Sequence, residues 1–502
     1  MSSCELIINA DESVGTISPM LHGHFAEHIG RCCYDGLWVG PESTIPNTNG
    51  FRSDVLAALA AIGIPLLRWP GGCFADTYHW RDGIGPAEQR THALAESCGL
   101  NVSDTNELGT HEFIALCHEL GAEPYLAANV GSGTPRELMD WIDYCNGAVP
   151  TTLTRERAAN GHPDPMKVKY WGIGNENWGC GGNYEAADYA KEFRRFATFA
   201  KQADRTIQAV ACGDNNRDWN LRVVETLRNH LSLLDHLSVH RYWGAGHAVD
   251  FNEDEYYRAM RGSELIESDI RHADEVLTFF EAGRRKVGIA FDEWGLWHPQ
   301  AVGGSGYEAA STQRDAVAAA GALDVFHSWC CRVSMANIAQ IVNVLQALVQ
   351  TDGANMWVTP TGYVFQMYAP HRGAEALRTV WHSAPVREME AVTRSWPEST
   401  FAGGTLPLVS ASASRTADRL IVSVSNRSLT DTMDFKLVCR GASLGEGEMM
   451  QLAPGDARAV NSAASQSNVG LRRSNVAPSG AELRLQLPPC SVQTITLRSA
   501  AV

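Results

Sequence analysis

The stretch that decides the fold is "KVKYWGIGNENWGCGG", Lys167–Gly182. Its first half is a short apolar run that stops abruptly on Asn175 and Glu176. Its second half is rich in glycine. Five glycines near one carboxylate bring to mind a loop that cradles phosphate. A G-x-G-x-x-G fingerprint starting at Gly172 would need a third glycine at 177, and that position is Asn177. Such a fingerprint also opens a helix on the phosphate, whereas this segment ends a strand at Glu176. The stretch therefore reads as a buried strand that delivers two polar side chains at its end. The later glycines let the chain turn away.

Working outward, the same unit recurs. Apolar runs lie at 20–25, 64–69, 123–129, 167–176, 207–212, 235–243, 286–294 and 334–340. Longer amphipathic segments separate them. "TPRELMDWIDYCNG" carries Thr134 as N-cap, Pro135 in the first turn, Glu137 three residues after the cap and Gly147 as the stop. "EAADYAKEFRRFATFAKQAD" repeats apolar residues at helical spacing. Eight alternations predict an α/β fold, a (β/α)8 barrel whose functional groups sit at the C-terminal ends of the strands.

After about residue 385 the period shortens. "DRLIVSVSNRS", "TMDFKLVCRG" and "AELRLQLPPCSVQTITLRS" alternate apolar and polar residues between turns, as antiparallel strands do. Residues 463–482 read as a loop within that module. The opening "CELIINA" reads as a strand expected to join the C-terminal sheet, because an unpaired edge is a liability. The expected division is a barrel at 19–384 and a β-sandwich, jelly-roll-like, from 1–18 plus 385–502.

Bulk properties bound the function. The chain has 502 residues, with 44% hydrophobic and 20% charged side chains, ordinary for globular domains. A formal net charge of −16 argues against nucleic acid or an anionic membrane as partner. No run approaches the roughly 18 apolar residues of a membrane span, and no secretory leader is visible. Thirteen scattered cysteines, with no C-x-x-C, are expected to be reduced thiols in a cytoplasm.

Reading only the strand ends gives a short list. Glu27 follows the first strand and Arg68, Trp69 and Cys73 the second. Asn129 ends the third, and Asn175 and Glu176 the fourth. His240, Tyr242 and Trp243 end the sixth, Asp292 and Glu293 the seventh, and Gln340 the eighth. Two carboxylates, Glu176 and Glu293, fall almost opposite one another across the barrel mouth. A pair of carboxyl groups in an aromatic-rimmed cleft suits glycoside hydrolysis. "HGHFAEH" supports a rival, a metal-dependent hydrolase using His22 and His24. The other strand ends supply a poor ligand set for it. Cys73 with His79 as base would make a thiol hydrolase, though spacing on one turn is weak support. A non-catalytic sugar-binding barrel is the remaining alternative.

The segments "HGHFAEHIGRCCYDGLWVG", "LLRWPGGCFADTYHWRDGIGP", "ELGTHEF", "GAEPYLAANVGSGT", "VKYWGIGNENWGCGGN", "LSVHRYW", "IAFDEWGLWH" and "ANIAQIVNVLQ" occur in that order, and the β-module ends "LPPCSVQTITL". Together they resemble the α-L-arabinofuranosidases of glycoside hydrolase family 51, in particular the intracellular bacterial branch. The resemblance implies a retaining, exo-acting enzyme that needs no cofactor and no metal. It implies Glu176 as acid/base and Glu293 as nucleophile. It implies Glu27, Cys73, Asn175, His240, Tyr242, Trp297 and Gln340 as substrate-binding neighbours. It also implies an arabinose-containing oligosaccharide as substrate, a cytoplasmic location and a homohexamer. Other retaining specificities on the same fold, β-xylosidase or endoglucanase, are the alternatives within the family pattern. One departure stands out: residues 87–106 lack the tryptophan that often walls the leaving-group side in this family.

Overall fold

In the computed structural model, which describes residues 2–395 and 399–501, eight parallel strands close into a barrel. They are β1 (Gly23–Phe25), β2 (Leu66–Trp69), β3 (Glu123–Ala128), β4 (Tyr170–Ile173), β5 (Gln208–Ala211), β6 (His236–Trp243), β7 (Gly288–Leu296) and β8 (Val333–Ala339). Each overlaps one of the eight apolar runs. The strands are buried on both faces, so their sequences are continuous apolar runs rather than alternating ones. The barrel interior is filled by Leu66, Tyr125, Tyr170, Val210, Ala290 and Met335, one packed layer rather than a pore.

The helices form where their caps are written. Pro135–Asn146 starts on Thr134, whose side chain accepts from the Glu137 N–H at 3.2 Å. The Glu137 carboxylate does not return to the cap; it lies 2.9 Å from His79. Ala186–Ala203 buries Tyr189, Phe193, Phe196 and Ala200 against the barrel at helical spacing.

The C-terminal module is built on a nine-stranded sheet. The N-terminal strand Ser2–Thr16 lies inside it, parallel to Met433–Arg440 and antiparallel to Glu375–Ser383. Leu6, Ile8, Val422, Phe435, Leu437 and Ile495 bring both halves of the sheet onto one core, so the sheet folds over itself. Two features differ from the sequence reading. Glu375–Ser383 pairs in this sheet rather than belonging to the barrel. Residues 463–482 are not all loop, because Arg472–Val476 pairs with the strand Ala442–Leu452. "RRSNV" lacks an apolar alternation because four of its five residues are exposed at the sheet edge.

The sheet meets the barrel through a buried polar seam. His327 lies 2.8 Å from His22 and 3.0 Å from Ser412, and His371 lies 2.8 and 2.9 Å from Ser414 and Ser423. His22 also accepts from Arg372. His24 packs on Phe365. The rival metal reading of His22 and His24 is not favoured: His22 is engaged in this seam, His24 packs on Phe365, and neither lines the cavity at the strand ends.

Candidate active site

A cavity of about 660 Å³ opens at the C-terminal ends of the strands. The nine residues that the family resemblance implies all line it: Glu27, Cys73, Asn175, Glu176, His240, Tyr242, Glu293, Trp297 and Gln340; the strand-end residues Arg68, Trp69, Asn129, Trp243 and Asp292 do not. Its size is that of a small-molecule site.

Glu293 stands at the centre. Arg68 donates to its Oε1 at 2.6 Å and Tyr242 to its Oε2 at 2.9 Å. Arg68 also donates to Asn175 Oδ1 at 2.6 Å and lies 3.8 Å from Asp292. Asp292 and Glu293 are adjacent, and a regular strand would send them to opposite faces. Register breaks between β6 and β7 and between β7 and β8 flank this point, and both carboxylates reach Arg68. Gly72 leaves room here: a Cβ would come 3.0 Å from Glu293 Oε1, so the carboxylate would have to give way.

Glu176 faces Glu293 across the cavity. Oxygens of the two carboxylates and a nitrogen of His240 all lie within 4.8 Å of one another. Gly174 and Glu176 both have positive φ, 87° and 42°, which turns the chain sharply after β4. A non-glycine residue in that region is strained, and such strain is common at functional sites. His240 lies 2.8 Å from Glu176, 3.0 Å from Asp292 and 3.5 Å from Glu293.

The charges sort themselves. Burial lifts the Glu176 carboxyl above the ordinary range; His240 opposes this, and Glu293 and Asp214 reinforce it. Asp292 is held below the ordinary range because Arg68 and His240 outweigh its burial. His240 is held well above the ordinary imidazole range, since Glu293 and Asp292 outweigh its burial. Burial and the Glu293 and Glu176 charges keep the Tyr242 hydroxyl protonated. The shifts thus separate the carboxyls that flank His240, upward at Glu176 and downward at Asp292.

The floor is polar. Glu27 accepts from the Phe74 N–H, from Ser97 and from Gln340 at 3.1, 2.8 and 3.2 Å. Burial, helped by Glu293, lifts it to about 7. Asn175 Nδ2 and Gln340 Oε1 are buried without a hydrogen-bond partner. Both residues line the cavity, where a ligand can supply the partner that buried polar groups nearly always have. Trp297 meets Tyr242 edge to face at 5.1 Å and forms a wall.

Several residues of the site were not assigned a role from sequence. Asp76 ties three loops together: it accepts from the N–H groups of Val130, Gly131 and Asn175 at 3.0, 2.8 and 3.2 Å. Burial lifts it to about 7 against those donors. Ser97 sits on a hairpin, Ala93–Ser97 with Leu100–Asp104, inside the segment that lacks the expected tryptophan. Cys73 forms a disulfide with Cys180, 107 residues away, so it is not the free thiol expected. Two cysteines far apart in sequence give no spacing signal, and barrel closure alone brings their loops together. The bond also removes Cys73 as a nucleophile. Its imagined base, His79, sits on the surface beside Glu137.

Opposed carboxyl groups bridged by His240, with polar groups beneath and an aromatic wall, define a glycoside hydrolase on a (β/α)8 barrel. Comparison with known proteins narrows this. Residues 58–261 match the family model "Alpha-L-arabinofuranosidase 1 domain" and 292–491 match "Alpha-L-arabinofuranosidase C-terminal domain". The chain is 40% identical over 436 residues to an intracellular exo-alpha-L-arabinofuranosidase of Bacteroides ovatus, covering 84% of this chain and 82% of that one. It is 38% identical to alpha-L-arabinofuranosidase C of Emericella nidulans, over 69% of this chain and 70% of that one. Its fold superposes on the glycoside hydrolase family 51 arabinofuranosidase of Xanthomonas axonopodis with a TM-score of 0.89 at 32% identity, covering 99% of this chain and 100% of that one. The arabinose complex of the Thermotoga maritima enzyme gives 0.89 at 30% identity, with the same coverage. The chain belongs to the α-L-arabinofuranosidases of glycoside hydrolase family 51.

Proposed function

We propose that this chain is a retaining, exo-acting α-L-arabinofuranosidase that releases terminal L-arabinofuranose from arabino-oligosaccharides or fragments of arabinan or arabinoxylan. The observation that carries the stereochemistry is the gap between Glu176 and Glu293, oxygens of which lie within 4.8 Å. Retaining enzymes hold their carboxyl groups about 5–5.5 Å apart and inverting ones about 6.5–9.5 Å, the extra space admitting a water.

In the first step Glu293 attacks the anomeric carbon and the glycosidic C–O bond breaks. Glu176 gives its proton to the departing oxygen. The product is an arabinosyl ester on Glu293. Neutralising Glu293 leaves Arg68 and His240 in excess over Asp292, so Glu176 now favours its anion. It takes a proton from water, water attacks the anomeric carbon, and the ester opens. Two inversions give retention. Asn175, with its free Nδ2, is the donor for the sugar 2-hydroxyl, and Glu27 and Gln340 hold the remaining hydroxyls. Tyr242 and Arg68 orient the nucleophile; His240 couples the two carboxyls. Trp297 and the Cys73–Cys180 disulfide form walls. This chemistry is complete with protein groups and calls on no cofactor.

The floor residues Glu27 and Gln340 are 4% and 2% exposed, which favours a chain end entering the pocket over a chain lying across it. The test is a panel of aryl glycosides with NMR of the first-formed product. The α-L-arabinofuranoside must be cleaved far faster than the β-xyloside or β-glucoside, with retained configuration; an inverted product refutes the mechanism. The Bacteroides relative's name and the free cysteines favour a cytoplasmic enzyme, testable by cell fractionation, with thiol counting to place the disulfide. We also propose the homohexamer, testable by light scattering, and two folding units with the expected boundary at 384/385 moved ahead of the strand Glu375–Ser383, testable by limited proteolysis.

A further inference from the structure

Three cysteines meet at the mouth of the cavity, on segments far apart in the chain. Cys73 follows β2 and Cys180 follows β4, and the two share the disulfide. Cys98 stands at the tip of the hairpin Ala93–Ser97 with Leu100–Asp104, a free thiol 4.0 Å from Cys73 Sγ. The tip is pinned beside that thiol: Ser97 donates to Glu27 at 2.8 Å, and the Tyr307 hydroxyl donates to the Cys98 carbonyl. At the other end of the bridge, Cys180 Sγ lies 3.8 Å from Glu176 Oε2. The sulfurs of Cys73 and Cys180 and an oxygen of Glu176 all fall within 4.8 Å of one another. Glycoside cleavage uses Glu176 and leaves the three sulfurs without a chemical task.

These distances are those of a thiolate metal site with one edge held shut. Zinc takes four tetrahedral ligands, with bonds of about 2.3 Å to thiolate and about 2.0–2.2 Å to carboxylate, so neighbouring donors stand roughly 3.5–3.8 Å apart. The Cys98–Cys73 and Cys180–Glu176 edges already measure 4.0 and 3.8 Å. The Cys73–Cys180 edge is closed, because the two sulfurs are bonded to each other. A dithiol reductant opens it: the S–S bond takes up two electrons and two protons to give two thiols, and the dithiol becomes a cyclic disulfide. Four carboxyls, Glu27, Glu176, Asp214 and Glu293, line the cavity against two cationic side chains, His240 and Arg241, a balance that draws a dication. We propose that reduction of the Cys73–Cys180 bridge turns the mouth of this pocket into an inhibitory site for a thiophilic divalent cation, Zn2+ or Cd2+, held by Cys73, Cys98, Cys180 and Glu176. The cation displaces the thiol protons as it binds. Glu176 bound to metal has no proton to give, so the bridged enzyme works regardless of metal and the reduced enzyme is stopped by it. Metal binding is read on the thiols and does not depend on which glycoside is cleaved.

The test adds Cd2+ to the full-length chain, either with the bridge intact or after reduction by a dithiol and desalting under argon, so that no reductant competes for metal. Cadmium–thiolate charge-transfer absorbance counts the bound ion. The rate on an aryl α-L-arabinofuranoside, taken relative to the same preparation without metal, reports the block. Reduced wild-type protein binds one Cd2+ per chain at this site and loses its activity at one equivalent, and a chelator restores it; bridged protein keeps its activity. Cys98→Ser and Cys98→Ala each raise the Cd2+ concentration needed for the block by at least roughly 10-fold, since losing even a group that supports a ligand costs that much affinity. Cys331→Ser, which removes an exposed thiol outside the cavity, moves neither reading. Equal inhibition of bridged and reduced protein overturns the proposal. So does an unchanged metal requirement in both Cys98 variants, and so does cadmium bound to the reduced protein without loss of rate. Metal-free protein inert toward the arabinofuranoside overturns the arabinofuranosidase reading instead, while the absorbance of the Cys98 variants still decides the metal site.

Discussion

Replacing Glu293 by Gln mimics the neutral, esterified nucleophile without the sugar. The account requires the acid/base to respond. Oxygens of Glu176 and Glu293 lie within 4.8 Å. At an effective dielectric constant of about 20, two unit charges at that distance repel by about 3.5 kcal/mol. The Glu176 side chain keeps 20% of its surface exposed, so solvent takes up part of this, and a clear downward move of its titration is expected. His240, freed from Glu293, pairs more fully with Glu176 and pushes in the same direction. The assay is carboxyl-13C NMR of the glutamate-labelled protein, with Glu176→Gln used to assign the signal. The sign follows from linkage: removing a neighbouring anion favours the ionised form, so the Glu176 titration moves down in Glu293→Gln. A midpoint that stays put or rises refutes the charge cycle.

Other perturbations report on the parts. Asp214→Asn removes a charge that raises Glu176, so the alkaline limb of kcat/KM moves to lower pH, because the acid loses its proton sooner. Asp76→Ala strands three backbone donors, each costing roughly 1–3 kcal/mol, and is expected to lower Tm and slow substrates with poor leaving groups most. Calorimetry and a leaving-group series check both. Cys73→Ser with Cys180→Ser removes a bridge closing 107 residues, worth at most about 4–5 kcal/mol by loop entropy. A lower Tm that reductant no longer shifts is the expected result, and wild-type protein whose Tm ignores reductant contradicts it.

Much of this site was legible because a barrel exposes its chemistry at strand ends. Glu176 and Glu293 follow from that rule alone, since each ends a run whose apolar character marks it as a strand. The supporting residues were less legible. Arg68 was visible as a strand end, but its bond to Glu293 spans 225 residues and exists only once the barrel closes. Asp292 is concealed by periodicity: next to Glu293 it should face outward, and the register breaks turn it in. Asp76 lies in a turn where an aspartate ordinarily caps its own backbone, and its donors come from two other loops. The disulfide was misjudged because cysteine arithmetic registers spacing and compartment, not the approach of two loops. The strand at Arg472–Val476 lacks alternation because it is an exposed edge.

The central claim, that Glu293 is the nucleophile and Glu176 its acid/base partner, has a direct test. Wild-type protein is treated with an activated 2-deoxy-2-fluoro-α-L-arabinofuranoside, digested, and sequenced by mass spectrometry. The account predicts one fluoroarabinosyl group on Glu293, forming more slowly in Glu176→Gln when the leaving group needs a proton. A label on Glu176, on Glu27 or on no residue, with turnover continuing, contradicts it.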